Sequence, residues 1–160
     1  MIQTIETVKP EIRILGLDTC RDGEVFGAVL RGGMYLDGFV HFDLERNGSR
    51  QLGKHVLATK YYPELRALMF HDPKNRLVIS TVENVTKLPV ISISKGRRAA
   101  RGYSVFRSHH GAVQRKSSLP SSTLDKILSV TWTYGTLPEP VRVAHELARH
   151  SLSRLRAEGF

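Results

Sequence analysis

Two short apolar runs in this chain each end in an aspartate: Ile14-Leu15-Gly16-Leu17-Asp18 and Ala67-Leu68-Met69-Phe70-His71-Asp72. Apolar runs of this length, bounded by turn residues, read as buried strands. A carboxylate at the tip of such a strand costs free energy unless it is hydrogen-bonded, paired or holding a cation. Two tips that are neighbours in one sheet make a divalent-metal site able to act on phosphates. The order of the remaining elements decides whether they are neighbours.

Ile12 to Asp18 reads as a first strand, followed by an Asp22-Gly23 turn and a returning strand, Glu24 to Leu30. Met34 to Glu45 alternates Tyr35, Asp37, Phe39, His41 and Asp43 with Leu36, Gly38, Val40, Phe42 and Leu44, the period of a half-covered strand. A helix is predicted from about Arg50 to Tyr62 with Ser49 as its N-cap, and Pro63 closes it. Arg66 to Asp72 is a buried strand. Arg76 to Lys87 fits either strand or short helix, and Leu88 to Ser94 is a fifth strand. Gly96 to Ser118 is either a hairpin or a long mobile loop. Helical spacing returns over Thr123 to Tyr134, and a last helix begins at Pro138-Glu139-Pro140 and runs to about Arg156. An antiparallel meander, a helix, then further strands with helical crossovers is a mixed α/β order. It is the order of the ribonuclease H-like fold, expected here as a single domain over 1–160. In that fold the first and fourth strands lie side by side, which would bring Asp18 and Asp72 together.

Charge points to the partner. The chain carries a net charge of +9, almost all of it in the second half. Residues 1–80 hold 11 basic and 10 acidic residues, whereas 81–160 hold 13 and 5. No acid lies between Glu83 and Asp125, an interval that contains Lys95, Arg97, Arg98, Arg101, Arg107, Arg115 and Lys116. Such a field attracts polyanions, so nucleic acid, DNA or RNA, is the expected partner. No apolar run approaches the roughly 18 residues of a membrane span. Met1 to Glu11 has no signal-peptide core. The single cysteine, Cys20, excludes an internal disulfide and fits a reducing, cytoplasmic setting.

Four segments, in order along nearly the whole chain, carry a family resemblance. They are Lys9 to Asp18, the Arg31-Gly32-Gly33…Leu36-Asp37-Gly38 hairpin, Leu88-Pro89-Val90-Ile91, and Leu137-Pro138-Glu139-Pro140-Val141-Arg142-Val143-Ala144-His145. Together they resemble the archaeal family known as domain of unknown function 99, itself similar to endonuclease V, a magnesium-dependent ribonuclease H-like nuclease. The resemblance implies that Asp18 and Asp72 are metal ligands and that Lys95 closes a strand beside the metal. It implies Mg²⁺ or Mn²⁺ as cofactor. Where endonuclease V has a further glutamate ligand, this chain offers Gln51, Lys54, His55 and Lys60, with no acid until Glu64.

Two functions follow as expectations. One is a divalent-metal-dependent nuclease with Asp18, Asp72 and Lys95 as its catalytic residues. The other is a non-catalytic nucleic-acid-binding domain with a degenerate metal site, Lys95, Arg97, Arg98, Arg101, Arg107, Arg115 and Lys116 forming its surface. Tyr103 and Phe106 are available there to stack bases. His71, His109 and His110 have ligating side chains, though the adjacent pair in a basic segment reads as surface. A third reading makes the Tyr35–Leu44 strand an edge for self-association into a homo-oligomer.

Overall fold

The computed structural model describes residues 1–95 and 101–157. Seven strands form one mixed sheet: β1 (Arg13–Asp18), β2 (Glu24–Arg31), β3 (Tyr35–Asp43), β4 (Ala67–His71), β5 (Val90–Ser94), β6 (Ser104–Ser108) and β7 (Gly111–Ser117). Their order across the sheet is β3-β2-β1-β4-β5-β7-β6. The β1–β4 and β4–β5 pairs are parallel, and the other pairs are antiparallel. The predicted meander and the adjacency of the first and fourth strands are therefore present. The basic stretch after β5 holds a hairpin, β6–β7, whose second strand pairs with β5.

Helices cover both faces. On one side lie α1 (Ser49–Ala58) and α2 (Ile79–Thr86); on the other lie α3 (Ser121–Thr131) and α4 (Glu139–Ala157). Strand pleat sorts the core between them. Leu15, Leu17, Leu68 and Phe70 pack with Leu52 and Val56 of α1 and Val82 of α2. Ile14, Met69, Ile91 and Ile93 pack with Leu124, Ile127 and Leu128 of α3 and Val141 of α4.

Local chemistry adjusts several predicted boundaries. Helix α1 stops at Ala58, and a separate 3-10 turn, Tyr62–Glu64, carries Pro63. Gly48, not Ser49, sits at the cap position of α1, because the Ser49 hydroxyl accepts a hydrogen bond from the Val78 amide at 2.8 Å. The ambiguous segment after β4 is helical over Ile79–Thr86 and ends where Lys87 turns left-handed at φ 60°. Pro140 occupies the first turn of α4, where its missing N–H costs no hydrogen bond. Among the described residues no helix is long and apolar enough to cross a membrane.

Candidate metal centre

Side-chain parity decides what meets at the C-terminal ends of β1 and β4. Ile14 and Gly16 face α4, so Asp18, two residues further, falls on the same side. Met69 also faces that side, so His71 does too. The parallel register sets Asp18 directly beside His71. On α4, Val141, Ala144 and Ala148 are fully buried at helical spacing, and His145 lies beside them over the same strand ends.

Gly16 is what lets α4 come this close. A Cβ at that position would lie 2.0 Å from the Pro140 carbonyl oxygen, so only glycine fits. The first turn of α4 therefore rests on the backbone of β1.

These constraints converge on one oxygen. His71 Nδ1 lies 2.6 Å and His145 Nδ1 2.9 Å from Asp18 Oδ2. The two rings stand nearly perpendicular, at 78°, with centroids 5.0 Å apart. Asp18 Oδ1 accepts the Cys20 amide at 2.9 Å. One ligand atom from each of Asp18, His71 and His145 lies within 4.8 Å of the other two. The Asp18 side chain is wholly buried, whereas those of His71 and His145 are 12% and 29% exposed, so the cluster opens toward solvent on its imidazole side.

Burial pushes the Asp18 carboxyl up, but hydrogen bonds from His71 and Cys20 outweigh it and hold the group below the usual carboxylate range. The carboxylate is thus kept charged in a buried position. Its neighbour responds in the opposite sense: burial and the adjacent Asp18 charge push the Cys20 thiol up to about 12.

Asp72 stands one residue beyond β4 and is not part of this cluster. Its Oδ1 accepts the Thr19 hydroxyl at 2.5 Å and the Arg76 amide at 3.1 Å; its Oδ2 accepts the Leu77 amide at 2.8 Å. It ties the end of β1 to the turn that leads into α2. Consecutive strand residues face opposite sides, so His71 and Asp72 do not both reach Asp18. Of the other acids near the strand ends, Asp22 pairs with Lys74 and Arg76, which hold its exposed carboxyl at about 2. Asp37 bridges Arg13 and Arg31 at the far end of the sheet.

Beside the cluster runs an open groove of about 580 Å³, walled by His71, Asp72, Lys95, Arg101, Tyr103 and Lys116 among others. Lys95 Nζ donates to the Thr136 hydroxyl at 2.5 Å, and Lys116 Nζ sits 5.9 Å from the Tyr103 ring centre. Arg107 is exposed on β6. Arg115 is buried: it pairs with Asp125, donates to the Ser104 hydroxyl at 2.9 Å and packs over Phe106. Arg97 and Arg98 lie outside the described residues. The structure thus gathers Lys95, Arg101 and Lys116 beside His71 and turns Arg115 inward.

His145 has no place in the predicted ligand set. The signal was present in the terminal segment ending Val143-Ala144-His145, whose helical spacing sets a histidine beside an apolar stripe. Mg²⁺ prefers a shell of oxygens and retains much of its water. The cluster offers one carboxylate and two imidazoles, and the Asp72 oxygens are taken by hydrogen bonds. An all-oxygen magnesium site does not fit these residues.

The sheet order and flanking helices define a ribonuclease H-like fold. The Bacillus subtilis endonuclease V structure superposes with a TM-score of 0.64 at 15% identity, covering 99% of this chain and 89% of that one. An Argonaute from Marinitoga piezophila, in complex with guide RNA and target DNA, gives 0.59 at 10% identity over 88% of this chain and 29% of its own. A protein of unknown function from Archaeoglobus fulgidus gives 0.69 at 22% identity, covering 87% of this chain and 97% of that one. In sequence, the homologues are archaeal UPF0215 proteins, whose function is uncharacterised. The one from Methanopyrus kandleri is 29% identical over 90% of this chain and 93% of its own, and that from Methanosarcina mazei 25% over 88% and 91%. No protein-family model matches the chain.

Proposed function

We propose that this protein hydrolyses phosphodiester bonds in nucleic acid, using a divalent cation held by Asp18, His71 and His145. The position of His71 supports this reading most: it belongs both to the ligand cluster and to the wall of the cationic groove. The fold shared with endonuclease V and Argonaute supports a nucleic-acid substrate.

A cation at such a site supplies charge stabilisation and a bound water of lowered pKa. The chain's own residues do the rest. Asp18 keeps a negative charge in a buried position, and the sheet and α4 hold the two imidazoles against it. Lys95 and Lys116 hold the phosphate chain as point charges, and Arg101 holds it through its planar guanidinium fork. Water oxygen bonds to phosphorus and releases a proton to solvent, one ester P–O bond breaks, and the departing oxygen takes up a proton in turn. The products are a hydroxyl end and a phosphomonoester end.

One observation favours the alternative, a domain that binds nucleic acid without cutting it: Asp18 is the sole carboxylate of the cluster. Incubation of end-labelled single-stranded DNA and RNA with protein and Mn²⁺ separates the readings. Cleavage by the wild type that is lost in Asp18→Asn, with the far-UV spectrum unchanged, is the expected result. Retention of the strand on the protein without cleavage selects the binding domain. Neither retention nor cleavage rejects both.

A further inference from the structure

We infer that the Asp18–His71–His145 centre selects a divalent transition ion of the Zn²⁺ kind over Mg²⁺. The inference rests on the placing of a cation at this centre, and not on which bond the protein hydrolyses.

The donor set argues for it first. Two of the three ligand atoms are imidazole nitrogens. Imidazole suits zinc, iron, copper and nickel, whereas magnesium is a hard ion that takes oxygen. Three protein ligands of the histidine-histidine-carboxylate type, with a further position left for water, form a common catalytic zinc site.

The surroundings argue for it independently. A magnesium centre needs more oxygens, and the neighbouring ones are engaged. Asp18 Oδ1 accepts the Cys20 amide, and both Asp72 oxygens accept hydrogen bonds from Thr19, Arg76 and Leu77. Asp22 is paired with Lys74 and Arg76.

Geometry completes the case. Nearly perpendicular rings aim both Nδ1 atoms at one carboxylate oxygen, from distances of 2.6 and 2.9 Å. Metal–ligand bonds of about 2.0–2.1 Å in a tetrahedron set ligand atoms roughly 3.4 Å apart. Each N–O gap therefore has to widen by less than about 1 Å, within reach of a rotamer adjustment. A cation there would take the place of the Nδ1 protons that bridge to Oδ2, which pass to solvent, and would leave each imidazole as its Nε2–H tautomer. The three ligands come from β1, β4 and α4, so the frame exists before the ion arrives. His71 links the centre to the groove, whose wall it forms in part.

Calorimetric titration of the metal-free protein with Zn²⁺ alone and Mg²⁺ alone tests this. The expected result is one Zn²⁺ per chain, bound at least about 10²-fold more tightly than Mg²⁺, with that preference lost in His145→Ala and in Asp18→Asn. His145 is part-exposed on a helix, so its variant reads the site even if Asp18→Asn fails to fold. Zn²⁺ binding should survive Cys20→Ser and the double change His109→Ala, His110→Ala, which removes the adjacent histidine pair in the β6–β7 turn. Mg²⁺ binding as tight as Zn²⁺ overturns the inference. So does Zn²⁺ binding unchanged in His145→Ala, or no saturable Zn²⁺ binding by the wild type, which would leave a hydrogen-bonded triad. Tight Zn²⁺ binding without nucleic-acid cleavage rejects the proposed function and upholds the metal selection. Cleavage supported by Mg²⁺ with no Zn²⁺ site does the reverse.

Discussion

A buried carboxylate reshapes the chemistry of each side chain that touches it. Cys20 is the plainest case: with its thiol pushed to about 12 by burial and by Asp18, it carries little thiolate near neutral pH. Alkylation by iodoacetamide at pH 8 should run on the order of 10²-fold slower in the native protein than in urea. Asp18→Asn removes the opposing charge and should speed it, as timed mass spectrometry would show. A rate equal to that of the unfolded chain would mean the thiol is not held against Asp18. Stability carries the same sign. The folded thiol titrates above its ordinary value of 9.0, so its contribution is complete below about pH 9 and is lost as pH rises toward about 12. Asp72 gives a second residue-scale contrast. Asp72→Ala strands the Thr19 hydroxyl and the Arg76 and Leu77 amides and should cost about 1–3 kcal/mol in urea denaturation. Zn²⁺ affinity should stay within a few-fold of wild type. A loss as large as that in Asp18→Asn would make Asp72 a ligand.

At the scale of elements, the close seat of α4 on β1 determines whether His145 reaches Asp18 at all. Gly16→Ala would drive a Cβ to 2.0 Å from the Pro140 carbonyl, so α4 must move. We expect a loss of about 1–3 kcal/mol by chemical denaturation, typical of an overfilled contact. Zn²⁺ affinity should fall with it, because His145 rides on the displaced helix. Wild-type affinity in Gly16→Ala would show that His145 is held by something other than that seat. The same geometry explains what could be read from the chain beforehand. Strand runs, the meander and the adjacency of β1 and β4 follow from hydrophobic period and element order, and so does the placing of the Asp18 carboxylate at a buried strand tip. The choice between His71 and Asp72 did not. It depends on which face of β4 meets α4, and that needs the register Asp18↔His71, which no local pattern encodes. His145 is further still, 127 residues from Asp18, and its approach depends on a missing Cβ rather than on any ligand motif.

For the whole molecule, what matters is where the charge excess lies. The acid-free interval suggests a polyanion-binding surface, yet a count of cations does not reveal which of them have an internal partner. Strand β7 lies between β5 and β6, so Val113, Gln114 and Arg115 are buried, and Arg115 turns to Asp125. Arg101 and Lys116 face the groove and are exposed. Each phosphate contact on a single strand contributes about 0.7 to the slope of log affinity against log salt. Arg101→Ala and Lys116→Ala should therefore each weaken binding to single-stranded oligonucleotides at low salt, alike for different sequences. Each should flatten the slope by roughly 0.7–1. Arg115→Ala should behave otherwise. It removes an ion pair and the Ser104 hydrogen bond inside the fold, so it should lower the unfolding midpoint and leave the salt slope as it was. Fluorescence anisotropy over a salt series, beside thermal melts of the same variants, measures both. An unchanged slope in the Arg101→Ala, Lys116→Ala double variant would remove the groove as the path of the nucleic acid. A slope lost in Arg115→Ala with its stability intact would mean that Arg115 leaves Asp125 to meet phosphate, and that the β6–β7 hairpin rearranges when nucleic acid binds.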